Sequence, residues 1–268
     1  MILDGRALAD EVYSELVQVR ALIPRAIKLG IVVAGQNPAI ESFVRIKTKA
    51  AAKLTIEMVH VALSEEAPLA EVVGEVERLA ACTDGIIVQL PLSPHIDTDL
   101  VLRAIPQKKD VDVLSPSAFS AFKGGVGIMP PVAAAIAHIL DKNNITISGA
   151  HAVVVGQGRL VGKPAAIMLE QRGASVITLT EGHDIASYTH DADIIVLGAG
   201  SPGVLTPEMV KRGTVVIDAG TSELSGKLVG DASKSVAERC SLYTPVPGGV
   251  GPVAVAMIFK NLLTLVQK

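Results

Sequence analysis

Apolar residues recur along this chain in two alternating rhythms: every third or fourth position, then in unbroken runs. Over residues 7–22, Leu8, Val12, Leu16 and Val19 fall three or four apart, which predicts an amphipathic helix. Residues 28–34 form a continuous apolar run, the mark of a strand covered on both faces, and Gly35-Gln36-Asn37-Pro38 punctuates it as a turn. Pro38 opens a second helix running to about Leu54, because proline is tolerated at the first helical position. Residues 56–63 read as a strand, 69–81 as a helix and 85–90 as a third strand that Pro91 ends. Such alternation predicts a parallel sheet with helices on its faces.

Between 108 and 129 the rhythm lapses into Asp, Ser, Gly and Lys with little periodicity, which reads as a linker between two lobes. A second series follows, with strands at 150–155, 175–179, 194–197 and 214–218 and a helix at 160–171. Residues 253–266 are apolar at helical spacing and predict a closing helix that packs back towards the first lobe. The expectation is a two-lobed α/β fold, a parallel α/β domain over 1–128 and a Rossmann-like dinucleotide-binding domain over 129–268. Ligands favour the clefts between such lobes.

Composition narrows the function classes. With 24 Lys+Arg against 27 Asp+Glu, no basic excess exists to neutralise phosphates, so a nucleic-acid partner is not expected. No apolar run reaches the roughly 18 residues that cross a bilayer, and the start of the chain lacks a basic-then-apolar leader. No membrane span and a cytoplasmic location are therefore expected. Cys82 and Cys240 are far apart, form no CxxC pair, and read as two small apolar fillers. The histidines His60, His95, His138, His151, His183 and His190 show no metal-ligand spacing, so no metal is expected; His183 and His190 read as surface residues.

Residues 153–164 join an apolar strand to a glycine loop and a helix start. Glycines there permit a tight turn, and the free N–H groups of a helix start suit a pyrophosphate. The spacing Gly156, Gly158, Gly162 is one residue longer than the usual dinucleotide fingerprint, so a purely structural glycine turn stays open. Glu181, two residues past the next strand, stands where a ribose-binding carboxylate belongs. Together these point to a nicotinamide cofactor.

The first lobe carries its own candidates. Phe43 and Lys47 lie at i and i+4 and share a helix face, a plate beside an amine that suits proton transfer on a flat heterocycle. A core phenylalanine and a solvated lysine are the plainer alternative. Gln89, inside the apolar run Val88-Gln89-Leu90-Pro91-Leu92, needs a partner if buried. Asp110 and Asp112 alternate sides of an extended segment and, by themselves, read as solvated loop acids.

Six segments, taken in order, resemble the methylenetetrahydrofolate dehydrogenase/cyclohydrolase family. They are Asp4-Gly5, Lys47-Thr48-Lys49-Ala50, Val88-Gln89-Leu90-Pro91-Leu92, Lys109-Asp110-Val111-Asp112, Val161-Gly162-Lys163-Pro164 and Thr244-Pro245-Val246-Pro247-Gly248-Gly249-Val250-Gly251-Pro252. The last is the most specific, and the set covers essentially the whole chain. The resemblance implies a homodimer that oxidises 5,10-methylenetetrahydrofolate with NAD or NADP and hydrolyses the methenyl product to 10-formyltetrahydrofolate. It places Lys47 at the catalytic lysine, Gln89 at the glutamine that tunes it, and Asp112 at the carboxylate gripping the pterin. Phe43, Val88, Leu90, Pro247, Gly248, Gly249 and Val250 fall at folate-binding positions, and Gly156, Gln157, Gly158, Glu181 and Thr221 at cofactor positions.

The chain also departs from that pattern. Phe43 replaces a tyrosine, Val113 replaces the glycine after Asp112, Pro130-Pro131-Val132-Ala133 replaces Pro-Cys-Thr-Pro, and Val253-Ala254 replaces Met-Thr. A dehydrogenase with weak or lost cyclohydrolase is thus an alternative, as is a folate- or dinucleotide-binding protein without turnover. Gln157 and Glu181 stand where NADP-using relatives carry arginine and a small hydroxyl residue, which favours NAD.

Overall fold

The structure, a computed structural model, describes every residue except Gln36, Asn37, Ser225 and Lys268. The turn expected at Gln36-Asn37 lies outside the described residues. The chain divides into two compact units, Glu11–Pro131 with Val255–Lys268, and Met1–Asp10 with Val132–Ala254.

The first unit follows the alternation read from the sequence. Its elements are α1 (Gly5–Ala21, which begins in the other unit), β1 (Lys28–Ala34), α2 (Pro38–Lys53), β2 (Glu57–Leu63), α3 (Leu69–Cys82) and β3 (Gly85–Val88), then α4 (Thr98–Arg103) and α5 (Pro116–Lys123). The strands form a parallel sheet in the order β2-β1-β3. β1 is central, which is why its run is continuously apolar. Val32, Val72, Val76, Leu79, Ile86 and Val101 are wholly buried in the same core cluster.

The second unit contains α6 (Pro131–Lys142, whose first residue closes the other unit), β4 (His151–Val155), α7 (Gly162–Gln171), β5 (Ser175–Leu179), α8 (Ile185–Thr189), β6 (Ile194–Leu197) and β7 (Val215–Asp218). A small antiparallel hairpin, β8 (Ser222–Leu224) with β9 (Lys227–Val229), precedes β10 (Leu242–Tyr243) and α9 (Val250–Val266). Five parallel strands run in the order β10-β7-β6-β4-β5. The order reverses beside β4, the arrangement of a doubly wound dinucleotide-binding sheet.

Several expectations need correction. The supposed linker 108–129 contains α5, whose eight residues are too few for periodicity to register; Ser115 caps it by accepting from the Ala118 N–H at 3.3 Å. The third strand stops at Val88, not 90, although the Gln89 N–H still bonds the Val32 carbonyl at 2.9 Å. The closing helix begins at Val250, three residues before the expected 253. Cys82 is exposed and Cys240 half-buried, so neither is a core filler; the Cys240 thiol donates to the Val236 carbonyl at 3.1 Å. His183 and His190 are exposed, as expected. Among the described residues, no helix is long and apolar enough to cross a membrane.

Asp4-Gly5 and the late Pro-Gly segment, distant in sequence, meet in the second unit. Asp4 caps α1 by accepting from the N–H groups of Arg6 at 3.0 Å and Ala7 at 3.1 Å. The Gly5 N–H donates to the Gly248 carbonyl at 3.0 Å, and a Cβ on Gly5 would stand 1.9 Å from the Gly249 carbonyl oxygen. Only glycine permits that approach. Gly5→Ala is expected to cost roughly 1–3 kcal/mol, as overpacking does. Scanning calorimetry should show the melting temperature falling by about 2–4 °C for each kcal/mol lost.

Candidate functional site

In the first unit the buried positions of α2 are Ile40, Lys47, Ala50 and Ala51, so Lys47 occupies a core-facing position and is only 9% exposed. Its ammonium Nζ donates to Gln89 Oε1 at 2.6 Å. Gln89 sits just past the carboxyl end of β3, and its Nε2 donates to the Leu90 carbonyl at 2.8 Å, which turns Oε1 towards the lysine. Burial pushes the Lys47 amine below its ordinary value, against the opposing pull of the Asp112 charge. The Asp112 carboxyl is pushed up to about 6 by burial, with Lys47 lowering it and Asp110 raising it further. These groups gather at the carboxyl end of β1 and β3, where the strand order reverses and open α/β sheets bind ligands.

The reading of Asp110 and Asp112 as solvated loop acids is overturned. Asp110 is fully buried and Asp112 half-buried. The Asp110 backbone bridges Ile86 of β3, extending that sheet by one residue. Its Oδ2 accepts from the Ser115 N–H at 2.6 Å, and the N–H groups of Val113 and Leu114 also act on the carboxylate. A compact turn results, with Asp112 at its centre. Val113 occupies the left-handed region at φ 58°, where a side chain costs roughly 1–2 kcal/mol and a β-branched one is a genuine outlier. The family's glycine at this position thereby gains a physical reason, and the Asp110 bonds hold the turn without it.

The structure therefore brings Lys47, Gln89 and Asp112 together. Phe43, one turn before Lys47 on α2, is 38% exposed and not a core residue; Lys47 in turn is not on a solvated face. Val88 is buried at the end of β3 and Leu90 half-buried beyond it. Pro247, Gly248, Gly249 and Val250 belong to the second unit, where Pro247 is exposed and Val250 opens α9.

That unit also carries the glycine loop. Gly156 follows β4 at φ 97°, and a Cβ on it would lie 2.4 Å from the Gly198 carbonyl oxygen at the end of β6. A Cβ on Gly162 would lie 1.9 Å from the Gly156 carbonyl oxygen. Both glycines are thus required, and α7 begins at Gly162, with the Lys163 N–H donating back to the Gly158 carbonyl at 3.2 Å and closing the loop onto the helix start. The cradle fits a dinucleotide pyrophosphate at a topological switch point. Gln157 is half-buried, its Nε2 donating to the Gly156 carbonyl at 3.0 Å, while Gly158 is exposed. Glu181 is exposed two residues past β5, and Thr221 is exposed just before β8.

Comparison with known proteins agrees with both units. The family profile described as tetrahydrofolate dehydrogenase/cyclohydrolase, catalytic domain, matches residues 3–112, and the NAD(P)-binding domain of the same family matches 130–268. The chain belongs to the tetrahydrofolate dehydrogenase/cyclohydrolase family. A bifunctional protein FolD from Nitrosospira multiformis is 39% identical, the match covering 100% of this chain and 96% of the relative. Among solved structures, the bifunctional FolD of Campylobacter jejuni superposes with a TM-score of 0.96 at 34% identity, over 100% of this chain and 98% of that one. The Trypanosoma brucei FolD, solved with NADP and an inhibitor, also reaches 0.96, at 35% identity, over 100% of this chain and 97% of that one.

Sequence reasoning misread one buried acid of this family member and passed over two others. Asp110 was hidden by its loop composition. Asp218 and Asp231 are each wholly buried, and the available signal was an acid closing the apolar run Val215–Asp218. Asp112 yields a test in stability. Between 3.8 and about 6, the folded protein keeps a proton that the unfolded chain releases, so ionisation of Asp112 removes stability as pH rises through that window. Asp112→Asn removes this dependence. Urea titrations at acid and neutral pH should show the variant gaining on wild type by roughly 2–3 kcal/mol as pH rises. An unchanged difference would contradict the burial of that charge.

Proposed function

We propose that this chain oxidises 5,10-methylenetetrahydrofolate to the 5,10-methenyl cation with a nicotinamide dinucleotide and hydrolyses that cation to 10-formyltetrahydrofolate. The observation carrying this reading is the buried Lys47 amine, 2.6 Å from Gln89 Oε1 and electrostatically coupled to Asp112. Above about 6 the Asp112 carboxylate is ionised and accepts two parallel N–H bonds from the amino-pyrimidinone edge of the pterin, fixing the ring. Phe43 offers its exposed ring for stacking, without the hydroxyl that a tyrosine would add. Gly156, Gly158 and Gly162 would hold the dinucleotide, which would supply the hydride-accepting chemistry.

Hydrolysis falls to Lys47. Desolvation already favours its neutral form, and a bound cation disfavours the ammonium further. The neutral amine takes a proton from water as the oxygen bonds the methenyl carbon. The ammonium then protonates N5 as the carbon–N5 bond breaks, and the carbinol O–H releases its proton to solvent as the formyl C=O forms on N10. Gln89 keeps the amine aimed throughout. Lys47→Met should lower cyclohydrolase turnover by at least roughly 10²–10⁴-fold while leaving folding little changed. Near-normal decay of methenyl absorbance would refute the role.

NAD is proposed as the preferred cofactor. A carboxylate at Glu181 accepts hydrogen bonds from free ribose hydroxyls but repels a 2′-phosphate, and neutral Gln157 offers that phosphate no counter-charge. kcat/KM should favour NAD, with Glu181→Ser moving the ratio towards NADP; a tenfold advantage for NADP in the wild type would sink this preference. We further assign folate binding and catalysis to residues 1–128 and cofactor binding to 129–268, with about 253–266 returning to the first part. In support, Asn261 Nδ2 donates to the carbonyls of Val111 and Met129, both at 2.9 Å. A homodimer follows from the family resemblance and is measurable by sedimentation.

A further inference from the structure

The cofactor cradle is braced by two buried carboxylates. Asp231 accepts from three successive backbone N–H groups: Ala199 at 2.7 Å and Gly200 at 3.1 Å on Oδ2, and Ser201 at 2.8 Å on Oδ1. This loop leaves β6 at Gly198, the residue whose carbonyl closes against Gly156 of the glycine loop. Asp218, ending β7, accepts from Gly220 at 3.0 Å, Asp231 at 3.1 Å and Ala232 at 2.9 Å. Thr244 adds a bond, its Oγ1 accepting from the Asp218 N–H at 2.7 Å.

The close approach is built in. A Cβ on Gly220 would meet the Asp231 carboxylate at 2.2 Å, and one on Gly230 would meet Asp218 Oδ2 at 2.2 Å. Gly220 in turn precedes Thr221, one of the positions that the family resemblance gives to the cofactor. Both loops that edge the switch point are thus shaped by internal anions, each taking charge-assisted bonds from backbone N–H groups. The Asp218 carboxyl is pushed up to about 6, mainly by burial, so ionising it is costly and its three N–H donors offset that cost.

We infer that Asp231, backed by Asp218, is a positioning residue for the nicotinamide dinucleotide, fixing the 199–201 loop in the shape the cofactor meets. The inference rests on reading the Gly156–Gly162 cradle as the cofactor site, which wild-type binding tests separately. Asp231→Asn keeps the shape but replaces one accepting oxygen with an amide that faces N–H donors.

Titration of NADH and NADPH fluorescence gives Kd directly, hydrogen exchange reads the loop, and the cofactor-independent hydrolysis of methenyltetrahydrofolate reports the Lys47 site. The expected result is a Kd raised at least tenfold for the nucleotide that wild type binds, faster exchange at residues 199–201, and cyclohydrolase turnover within twofold of wild type. An unchanged Kd overturns the inference. So does a parallel loss of binding and hydrolysis, which marks a merely structural residue. If Asp231→Asn does not fold, Gly200→Ala decides, because Gly200 sits at φ 69° with no atom near its would-be Cβ, so alanine disturbs only the loop's shape. It should weaken nucleotide binding and spare hydrolysis; unchanged binding overturns the inference. Wild type binding neither nucleotide refutes the cradle reading instead.

Discussion

An amine withdrawn from water is the constraint around which the first unit is arranged. Lys47 sits on the core stripe of α2, and its desolvation outweighs the attraction of Asp112. Left alone, such a group destabilises the fold, because a buried charge without partners is costly. The surroundings answer that cost locally. Gln89 presents an oxygen whose direction is set by its own bond to Leu90, and Asp112 supplies a countercharge that is itself reluctant to ionise. Two groups shifted towards neutrality influence one another, the condition in which proton transfer near neutral pH becomes cheap.

That arrangement leans on a strained support. The turn carrying Asp112 holds Val113 in a left-handed conformation that valine resists, and the buried Asp110 carboxylate gathers the N–H groups that keep it there. Asp112 is placed by bonds to its neighbour rather than by glycine's freedom. The second unit solves its own problem in the same way, since Asp231 and Asp218 collect the N–H groups of loops that have no sheet or helix to pair with. In both units, then, buried acids hold the backbone of neighbouring loops in shape.

The sequence alone determined the fold class and most of the element order, because strands covered on both faces must be continuously apolar and helices must repeat every three to four residues. It also singled out Lys47, Gln89, the glycine loop and, through the family resemblance, Asp112. Short elements such as α5 escaped, being too brief for a period to show. What only the tertiary structure decided is where charge meets burial. Asp110 in a polar loop and Asp218 at a strand end look in sequence like any solvated acid, and Cys82 like a core residue. Their environments are set by atoms distant along the chain, as Asp231 is placed opposite Ala199–Ser201 by a returning strand and hairpin. Periodicity records which face of an element is buried, but burial of a single carboxylate depends on what lies across from it.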